Sequence, residues 1–231
     1  MRRFAVSDIH GCHKTFRNLL DRLALTRDDE LYLLGDFIDR GPGSKQVIDT
    51  VLALADDGYC VSSLMGNHEY AFLRALSEAS FYDTWENGYG GKATMDSYDA
   101  GRIPEAHLEW IGNLSFYLSV EDYFFVHAGL NFRTPDPLKD PASMLYIRNW
   151  YDELDRSWLG NRILVHGHTP IAKEAILRQR DSLDYLPALN IDAGCVYAGI
   201  RPGLGYLCAF DLDSLELYFV ENTDLAVPPV T

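Results

Sequence analysis

Phe4-Ala5-Val6-Ser7-Asp8-Ile9-His10-Gly11 joins an apolar run to an acidic side chain, an imidazole and a glycine. Three successive apolar residues predict a buried strand, because a strand covered on both faces needs no polar alternation. Asp8 and His10 are two residues apart, so in extended backbone both side chains would point to the same side. The stretch therefore predicts a strand that presents a chelating pair at its carboxyl end.

Four further apolar runs end in the same way, with polar side chains and glycines. The carboxyl ends of parallel strands meet at one edge of an open α/β sheet, where ligands bind, and glycine permits the tight turns needed there. The runs, each with the segment that follows it, are Leu31–Leu34 with Gly35–Gly41, Val61–Met65 with Gly66–Glu69, Tyr123–Val126 with His127–Gly129, and Ile163–Val165 with His166–Thr169. We therefore expect five polar segments to converge.

The connections between the first three runs have helical spacing. Apolar residues recur with a helical period in residues 16–23 and again in residues 47–55. Ser44 is a suitable cap for the second helix, and Gly58 stands where that helix should end. This β-α-β-α-β opening predicts an α/β fold with neighbouring strands.

The rest of the chain divides into a helical and a strand-rich part. Residues 69–113 have mainly helical patterns with a glycine-rich interruption at Asn87–Gly91, and we interpret them as a helical insertion or cap. From residue 174 onward the pattern is mainly that of strands, and the tail 227–231 is expected to be extended. The clear strand candidates there are Tyr206–Phe210 and Leu215–Val220. We expect one domain over residues 1–231.

The composition limits the possible partners. A formal charge of −14 argues against general nucleic-acid binding, which favours basic surfaces. No run approaches the roughly 20 apolar residues that span a bilayer, and the apolar stretch of a secretory signal is missing. Four cysteines without a Cys-x-x-Cys pair favour free thiols in a reducing compartment. We expect a monomeric cytoplasmic protein with no membrane or nucleic-acid partner.

The polar residues of the five segments form a set of carboxylate, imidazole and amide ligands without a thiolate. Such a set suits Mn²⁺, Fe or Zn²⁺ rather than a structural zinc site, and it is large enough for two ions that share a carboxylate. The candidates are Asp8, His10, Asp36, Asn67, His127 and His168. Two divalent ions would also make the site positive inside an acidic protein, which a phosphate-bearing substrate requires.

Each motif taken alone has a structural explanation. Asp8-x-His10 could be a polar turn, and Gly66–Glu69 could begin a helix with Glu69 at the positive end of its dipole. A histidine before a glycine is usually a hydrogen-bonded core residue. Five such segments in this order rarely arise from structural need alone, so their conjunction indicates a catalytic site.

The ordered motifs resemble those of the phosphoprotein phosphatase branch of the metallophosphoesterases, in particular its bacterial serine/threonine phosphatases. They are Asp-x-His-Gly at 8–11, Gly-Asp-x-x-Asp-Arg-Gly at 35–41, Gly-Asn-His-Glu at 66–69, His-Ala-Gly at 127–129 and Gly-His-Thr-Pro at 167–170, and residues 190–195 extend the likeness. The resemblance implies a two-sheet β-sandwich flanked by helices, with a dimetal site at the sheet edge. Pro170 stands where another branch has a second histidine, which favours this branch.

The resemblance also implies which residues hold the metals, with Mn²⁺ expected before Fe or Zn²⁺. Asp36 would bridge the two ions. The first ion would be held by Asp8, His10 and Asp36, and the second by Asp36, Asn67, His127 and His168. His166 matches no ligand of the family, so we expect it either to be structural or to contact a ligand rather than an ion.

The implied reaction is direct hydrolysis by a metal-bridging hydroxide. His68 would protonate the leaving-group oxygen, and Asp39 would orient His68 and keep it cationic. The alternative for Asp39 and the adjacent Arg40 is a surface ion pair of little energetic value.

The resemblance further implies residues that contact the substrate phosphate, namely Arg40 and Asn67. Arg148 is the candidate for a second phosphate arginine, with a solvated helix-face arginine as the alternative, and Arg133 fits less well. Residues 87–94 resemble a family segment at the site mouth, for which a flexible loop is the alternative.

The function that these features predict is a metal-dependent phosphatase. It would act on phosphomonoesters, either phosphoserine or phosphothreonine proteins or small phosphorylated compounds. The alternative is a dinucleoside polyphosphate hydrolase, acting for example on diadenosine tetraphosphate, because that class shares most of the motifs. A non-catalytic binding module is a third hypothesis, which the complete ligand set disfavours.

Overall fold

Two β-sheets flanked by helices form the fold in the computed structural model, which describes residues 1–225. The strands of these residues are β1 Arg3–Val6, β2 Glu30–Leu33, β3 Cys60–Ser63, β4 Tyr117–Val120, β5 Tyr123–Val126, β6 Ile163–His166, β7 Ala188–Asn190, β8 Tyr206–Asp211 and β9 Leu217–Glu221. The α-helices are α1 His13–Leu23, α2 Ser44–Asp56, α3 Asn67–Ser77, α4 Ala79–Asp83, α5 Gly91–Ser97, α6 Glu105–Gly112, α7 Pro141–Tyr146, α8 Arg156–Leu159 and α9 Lys173–Arg180. A π-helix spans Thr84–Tyr89, and short 3₁₀ turns lie at Asp99–Gly101, Pro137–Lys139, Tyr151–Glu153 and Cys195–Tyr197. The predicted mixed α/β class is confirmed.

The strand order brings the polar segments together. The first sheet has the order β3-β2-β1-β8-β9, and β1, β2 and β3 are parallel. The second sheet has the order β4-β5-β6-β7, in which β5, β6 and β7 are parallel. The predicted β-α-β-α-β opening is therefore confirmed, and the loops after the parallel strands of each sheet share an edge.

Both faces of the first sheet are covered, which explains its uninterrupted apolar strands. Phe4 and Leu31 pack in the layer under α1 and α2. Their strand neighbours Ala5 and Tyr32 face the second sheet, where the rings of Tyr32 and Phe125 stack at 4.7 Å between centroids. Successive strand residues thus enter different apolar layers, and the predicted two-sheet sandwich is confirmed.

The stretch predicted to be helical contains α3 to α6 and the π-helix. Its glycine-rich interruption lies at the junction of the π-helix and α5. Gly90 joins the two with a φ of +87°, a conformation that glycine adopts without steric cost. That this stretch is an insertion in a single domain stays a prediction.

The structure differs from the sequence interpretation mainly after residue 170. Helix α9 lies where the pattern was predicted to turn to strands. Only Ile176 of this helix is fully buried, so the segment lacks the apolar stripe that identifies a helix. The third strand ends at Ser63 and β9 begins at Leu217, each two residues from the predicted limit. The tail 227–231 lies outside the described residues.

Two further expectations concern membrane spans and thiols. Among residues 1–225, no helix has both the length and the apolar character that crossing a bilayer requires. All four cysteines are free, as predicted, and three of them are buried.

Candidate active site

Asp36 lies at the centre of the converging segments. Its side chain is 2% exposed, and its Oδ2 atom is 3.4 Å from His10 Nε2. Its Oδ1 atom is 3.4 Å from His127 Nε2. Burial, and then the charge of Asp8, raises the pKa of Asp36 well above its usual value. A carboxylate between two imidazoles has the arrangement that a bridging ligand needs.

Asn67 joins the two histidines on the other side of Asp36. Its Oδ1 atom is 3.0 Å from His127 Nε2 and 2.7 Å from His168 Nδ1. Among the described side chains, His168 Nε2 is the one buried nitrogen or oxygen without a hydrogen-bond partner. Because buried polar atoms are normally paired, this atom is suited to an additional ligand.

Asp8 completes the set through the backbone of His168. Its carboxylate oxygens accept hydrogen bonds from the His168 amide at 3.1 and 3.2 Å, and one also accepts from Ser7. The structure thus brings together all six predicted ligands in one series of contacts. Those residues are Asp8, His10, Asp36, Asn67, His127 and His168.

The backbone of the site is strained where the side chains are delivered. Six of its non-glycine residues have φ between +33° and +70°. They are Asp8, His10, Asp36, Asp39, Arg40 and His168. Such residues each cost on the order of 1–3 kcal/mol and cluster at functional sites. The expected extended backbone at Asp8 and His10 is wrong, because β1 ends at Val6 and both residues follow it in left-handed turns.

The motif glycines permit close packing against the ligands. A Cβ atom at Gly66 would collide with Asp36 Oδ1, and a Cβ atom at Gly167 would collide with the Asp8 carboxylate. No other residue fits these positions without displacing a ligand.

Glu69 has a role that the sequence reasoning missed. Its fully buried carboxylate accepts hydrogen bonds from four backbone amides at 2.8–3.2 Å. Three donors belong to the Asp36–Ile38 turn and the fourth is Gly66. Glu69 therefore fastens the loop after β2 to the start of α3. The helix-dipole interpretation gave its helix position but not this partner loop.

We expect Glu69→Ala to lower the free energy of unfolding by at least roughly 4 kcal/mol, since each of the four buried donors left without an acceptor costs about 1–3 kcal/mol. Urea denaturation measures the loss. Glu69→Gln keeps one acceptor oxygen, so its free energy of unfolding should lie between those of the unaltered protein and Glu69→Ala. The control is Glu78→Ala, which removes an exposed pair with Arg74 and should change the value by at most about 0.5 kcal/mol. A Glu69→Ala loss equal to that of the control would contradict the role.

His68 and Asp39 form a buried pair beside the six ligands. His68 Nδ1 is 2.7 Å from Asp39 Oδ2, and His68 Nε2 is 3.9 Å from Asp36 Oδ2. Asp39 also accepts hydrogen bonds from Trp85 Nε1 at 3.1 Å and Thr94 Oγ1 at 2.7 Å. The structure thus places His68 where it was expected. Trp85 and Thr94 were not assigned from the sequence as partners of this pair.

The electrostatics of this pair differ from the expectation of a cationic His68. Burial lowers the pKa of His68 well below its usual value, and the charges of Arg40 and His127 lower it further. Burial raises the pKa of Asp39 to about 7, against the opposing effect of its Thr94 and Trp85 hydrogen bonds. Asp39 therefore orients the imidazole, while the surroundings disfavour its cationic form.

Two arginines lie on different sides of the ligand set. Arg40 Nη1 is 2.9 Å from His10 Nε2, so its guanidinium reaches the edge of the cluster. Arg148 is close enough to His168 to act on it. Burial lowers the pKa of His168, and the charges of His127 and then Arg148 lower it further. Arg148 lines a cleft of about 410 Å³ together with Arg133, which forms an ion pair with Glu153.

Two further residues near the edge are not among the six. His166 is buried, with its Nε2 atom 2.8 Å from the Tyr151 hydroxyl and its Nδ1 atom 3.1 Å from the Gly167 carbonyl oxygen, in agreement with the structural role expected for it. Asp192 is buried close enough to Asp8 for that charge to add to the effect of burial, and both raise the pKa of Asp192. Its segment extends the family likeness, but the sequence alone indicates no role for this carboxylate.

Comparison with known proteins identifies the family. The model of the calcineurin-like phosphoesterase family matches residues 1–199. The symmetrical bis(5'-nucleosyl)-tetraphosphatase of Nitrosomonas europaea is 30% identical over 131 residues, which are 56% of this chain and 45% of that protein. The chain spans about half the length of the curated relatives it matches.

Solved structures show the same fold. A candidate diadenosine tetraphosphatase superposes with a TM-score of 0.65 at 18% identity, covering 97% of this chain and 95% of that one. A serine/threonine phosphatase from Saccharomyces cerevisiae superposes with a TM-score of 0.60 at 13% identity, covering 99% and 82%. At these identities the likeness concerns the fold. Since the family match covers both the motifs and most of the two sheets, the chain belongs to the calcineurin-like metallophosphoesterase family.

Proposed function

We propose that this protein hydrolyses dinucleoside polyphosphates at a pair of divalent metal ions. The observation that carries the proposal is the convergence of six donor side chains around Asp36, next to a buried histidine–carboxylate pair. Structural need alone does not explain a cluster that contains an unpaired buried imidazole nitrogen and several strained residues.

The six side chains would hold the two ions with Asp36 between them. Asp8 and His10 belong to one side, and the other side has Asn67, His127 and His168. Bound there, two divalent ions would lower the pKa of a water molecule and neutralise charge on the phosphoryl oxygens. Mn²⁺ is the expected metal, because the ligands are oxygen and imidazole donors without a thiolate.

His68 would donate the proton that the leaving group needs. Asp39 fixes Nδ1 of the ring, so Nε2 faces the cluster. The Nε2 proton would pass to the leaving-group oxygen as its bond to phosphorus breaks, while the proton shared with Asp39 moves to Nδ1, so that the ring stays neutral and Asp39 becomes the carboxylate. Thr94 and Trp85 keep Asp39 in place for this task.

The arginines and Asn67 would bind the phosphate groups. Arg40 lies at the cluster edge and can present its guanidinium fork to phosphate oxygens. Arg148, whose charge acts on His168, lines a cleft of about 410 Å³, which is within the size range of small-molecule sites. A substrate with several phosphate groups would use both arginines.

The relatives reverse the order of the two functions predicted from sequence. The curated proteins that the chain resembles are named symmetrical bis(5'-nucleosyl)-tetraphosphatases, which favours the dinucleotide alternative over the phosphomonoesterase. Phosphomonoester hydrolysis remains the second candidate, because Gly-Asn-His-Glu at 66–69 and the Asp39-Arg40 pair are typical of the phosphoprotein phosphatase branch.

A substrate panel with Mn²⁺-loaded protein tests the proposal. We expect kcat/KM for diadenosine tetraphosphate to exceed that for a phosphoserine peptide or a mononucleotide by at least roughly tenfold. Hydrolysis at the central anhydride consumes one water and yields ADP as the sole nucleotide product. Chelated protein is the control. A higher kcat/KM for the phosphopeptide, or equal amounts of ATP and AMP, would overturn the assignment.

A further inference from the structure

The π-helix Thr84–Tyr89 touches both members of the His68–Asp39 pair. Trp85, at its start, donates from Nε1 to Asp39 Oδ2 at 3.1 Å. Tyr89, at its end, meets the His68 ring edge to face, with 5.3 Å between centroids and 73° between planes. A π-helix carries an extra residue in its turn and is frequent at functional sites. This π-helix places Trp85 against Asp39 and Tyr89 against His68, which are themselves hydrogen-bonded to each other.

The orientation of the buried His68 ring depends on its neighbours as well as on Asp39. The Asp39 bond fixes one nitrogen but leaves the ring free to tilt about that bond. Two aromatic neighbours restrict the tilt, namely His10 at 4.6 Å and Tyr89 at 5.3 Å between centroids. His10 belongs to the ligand set, so Tyr89 is the neighbour whose role is unassigned.

Tyr89 is itself held from two sides. Its ring lies 6.2 Å from that of Phe81 at 62°. It is also close enough to Tyr146 to act on that residue: burial raises the pKa of Tyr146, and Tyr89 raises it further. Tyr146 lies in turn 6.4 Å from the His168 ring, measured between centroids. Tyr89 therefore connects the His68 side of the mouth to the His168 side, and it is only partly buried.

We propose that Tyr89 is a positioning residue for His68, and that it holds His68 Nε2 in line with the leaving-group oxygen. This inference rests on the proposed role of His68 as proton donor. Tyr89 would act through its ring, because the contact with His68 is edge to face and involves no hydrogen bond. The glycines on both sides of Tyr89 let the chain turn away on either side of that contact.

The test compares two aryl phosphates that differ in their need for a proton. Phenyl phosphate leaves as a phenol of pKa about 10 and needs protonation, whereas 4-nitrophenyl phosphate leaves as a stable anion. We expect Tyr89→Leu to lower kcat for phenyl phosphate by roughly 3–10-fold and to change kcat for the nitrophenyl ester less than about twofold. KM should stay the same for both. Tyr89→Phe keeps the ring and should restore most of the phenyl phosphate rate.

A double-mutant cycle separates this inference from the proposed function. In His68→Ala protein, adding Tyr89→Leu should cause no further loss if Tyr89 acts only through His68. The control is Tyr185→Leu, which alters a tyrosine that is 85% exposed and should change neither rate. Circular dichroism and a thermal melt establish that each variant is folded.

The rates of the two single variants distinguish failure of the proton donor from failure of its positioning. If His68→Ala lowers kcat for both substrates by the same factor, the proton-donor role fails. Suppose that His68→Ala lowers kcat for phenyl phosphate more than for 4-nitrophenyl phosphate, but Tyr89→Leu lowers both values equally or lowers neither. The positioning role alone is then overturned. Failure of Tyr89→Phe to restore the phenyl phosphate rate would also overturn it, because the ring would then not be the acting group.

Discussion

Asp36→Asn should remove both metal ions and nearly all turnover. The Asp36 carboxylate lies between His10 and His127, with 3.4 Å from one of its oxygens to an imidazole nitrogen on each side. Replacing one carboxylate oxygen by an NH₂ group would put a hydrogen-bond donor where the proposed metal site needs an acceptor. Since the metal charge contributes several kcal/mol to transition-state stabilisation, we expect a loss of kcat of roughly 10³-fold or more. Elemental analysis and 4-nitrophenyl phosphate turnover measure the two effects.

The same substitution should stabilise the metal-free protein. Burial and the charge of Asp8 raise the pKa of Asp36, so the charged carboxylate is unfavourable when no cation is bound. Asp36→Asn should therefore raise Tm in the presence of a chelator and abolish the gain in Tm that metal gives the unaltered protein.

Asp29→Asn is the matched control for Asp36. Asp29 is also a buried acid, but it pairs with Arg2 just before β2, at the opposite end of that strand from Asp36. The Asp29→Asn variant should have a lower Tm, but it should keep both ions and full turnover per folded molecule. Two ions per chain and ordinary turnover in Asp36→Asn would refute the bridging role.

The ligand set could be predicted because it follows strand ends in chain order. Apolar runs such as Phe4–Val6 are recognisable without a partner, and parallel pairing then brings their ends together. The same logic failed for the local geometry of Asp8 and His10, because alternation holds only within the strand and both residues lie beyond it.

The supporting residues could not be predicted, because their partners are distant in sequence. Glu69 accepts from the turn at Asp36 across more than 30 residues, and Trp85 reaches Asp39 across 46. Neither contact leaves a periodic signal in the chain. Glycine-rich spacing at Asn87–Gly91 was visible, but the π-helix that explains it depends on packing against Asp39 and His68.

An acidic chain that binds polyphosphate needs a local source of positive charge. The net charge of −14 would repel a phosphate-rich substrate at long range. The two arginines near the site, Arg40 and Arg148, are fewer than the three carboxylates of Asp8, Asp36 and Asp192, so they do not reverse the sign of the local charge. The proposed metal ions would do so. Metal loading should therefore raise the affinity for substrate as well as the rate of catalysis.

His68→Ala should separate metal binding from catalysis. His68 is not one of the six ligands, and its Nε2 atom is 3.9 Å from Asp36 Oδ2, so we expect two ions per chain to remain. Loss of the proton donor should lower kcat for phenyl phosphate, whose leaving group needs a proton, by roughly 10²–10⁴-fold, with KM little changed. Stopped assays that quantify phenol, combined with elemental analysis of the same samples, measure both quantities.

Asp39→Asn and His107→Ala are the companion variants for His68→Ala. Asp39→Asn should lower the same kcat in part, because the amide can still contact His68 Nδ1 but cannot exchange a proton with it. His107 is a buried histidine with a carboxylate partner, Asp49 at 3.1 Å, and it lies outside the ligand set. His107→Ala should lower Tm and leave kcat per folded molecule unchanged. If His68→Ala behaves like His107→Ala, the proton must come from another group or from solvent, and the buried pair would serve only to support the loop that carries Asp36.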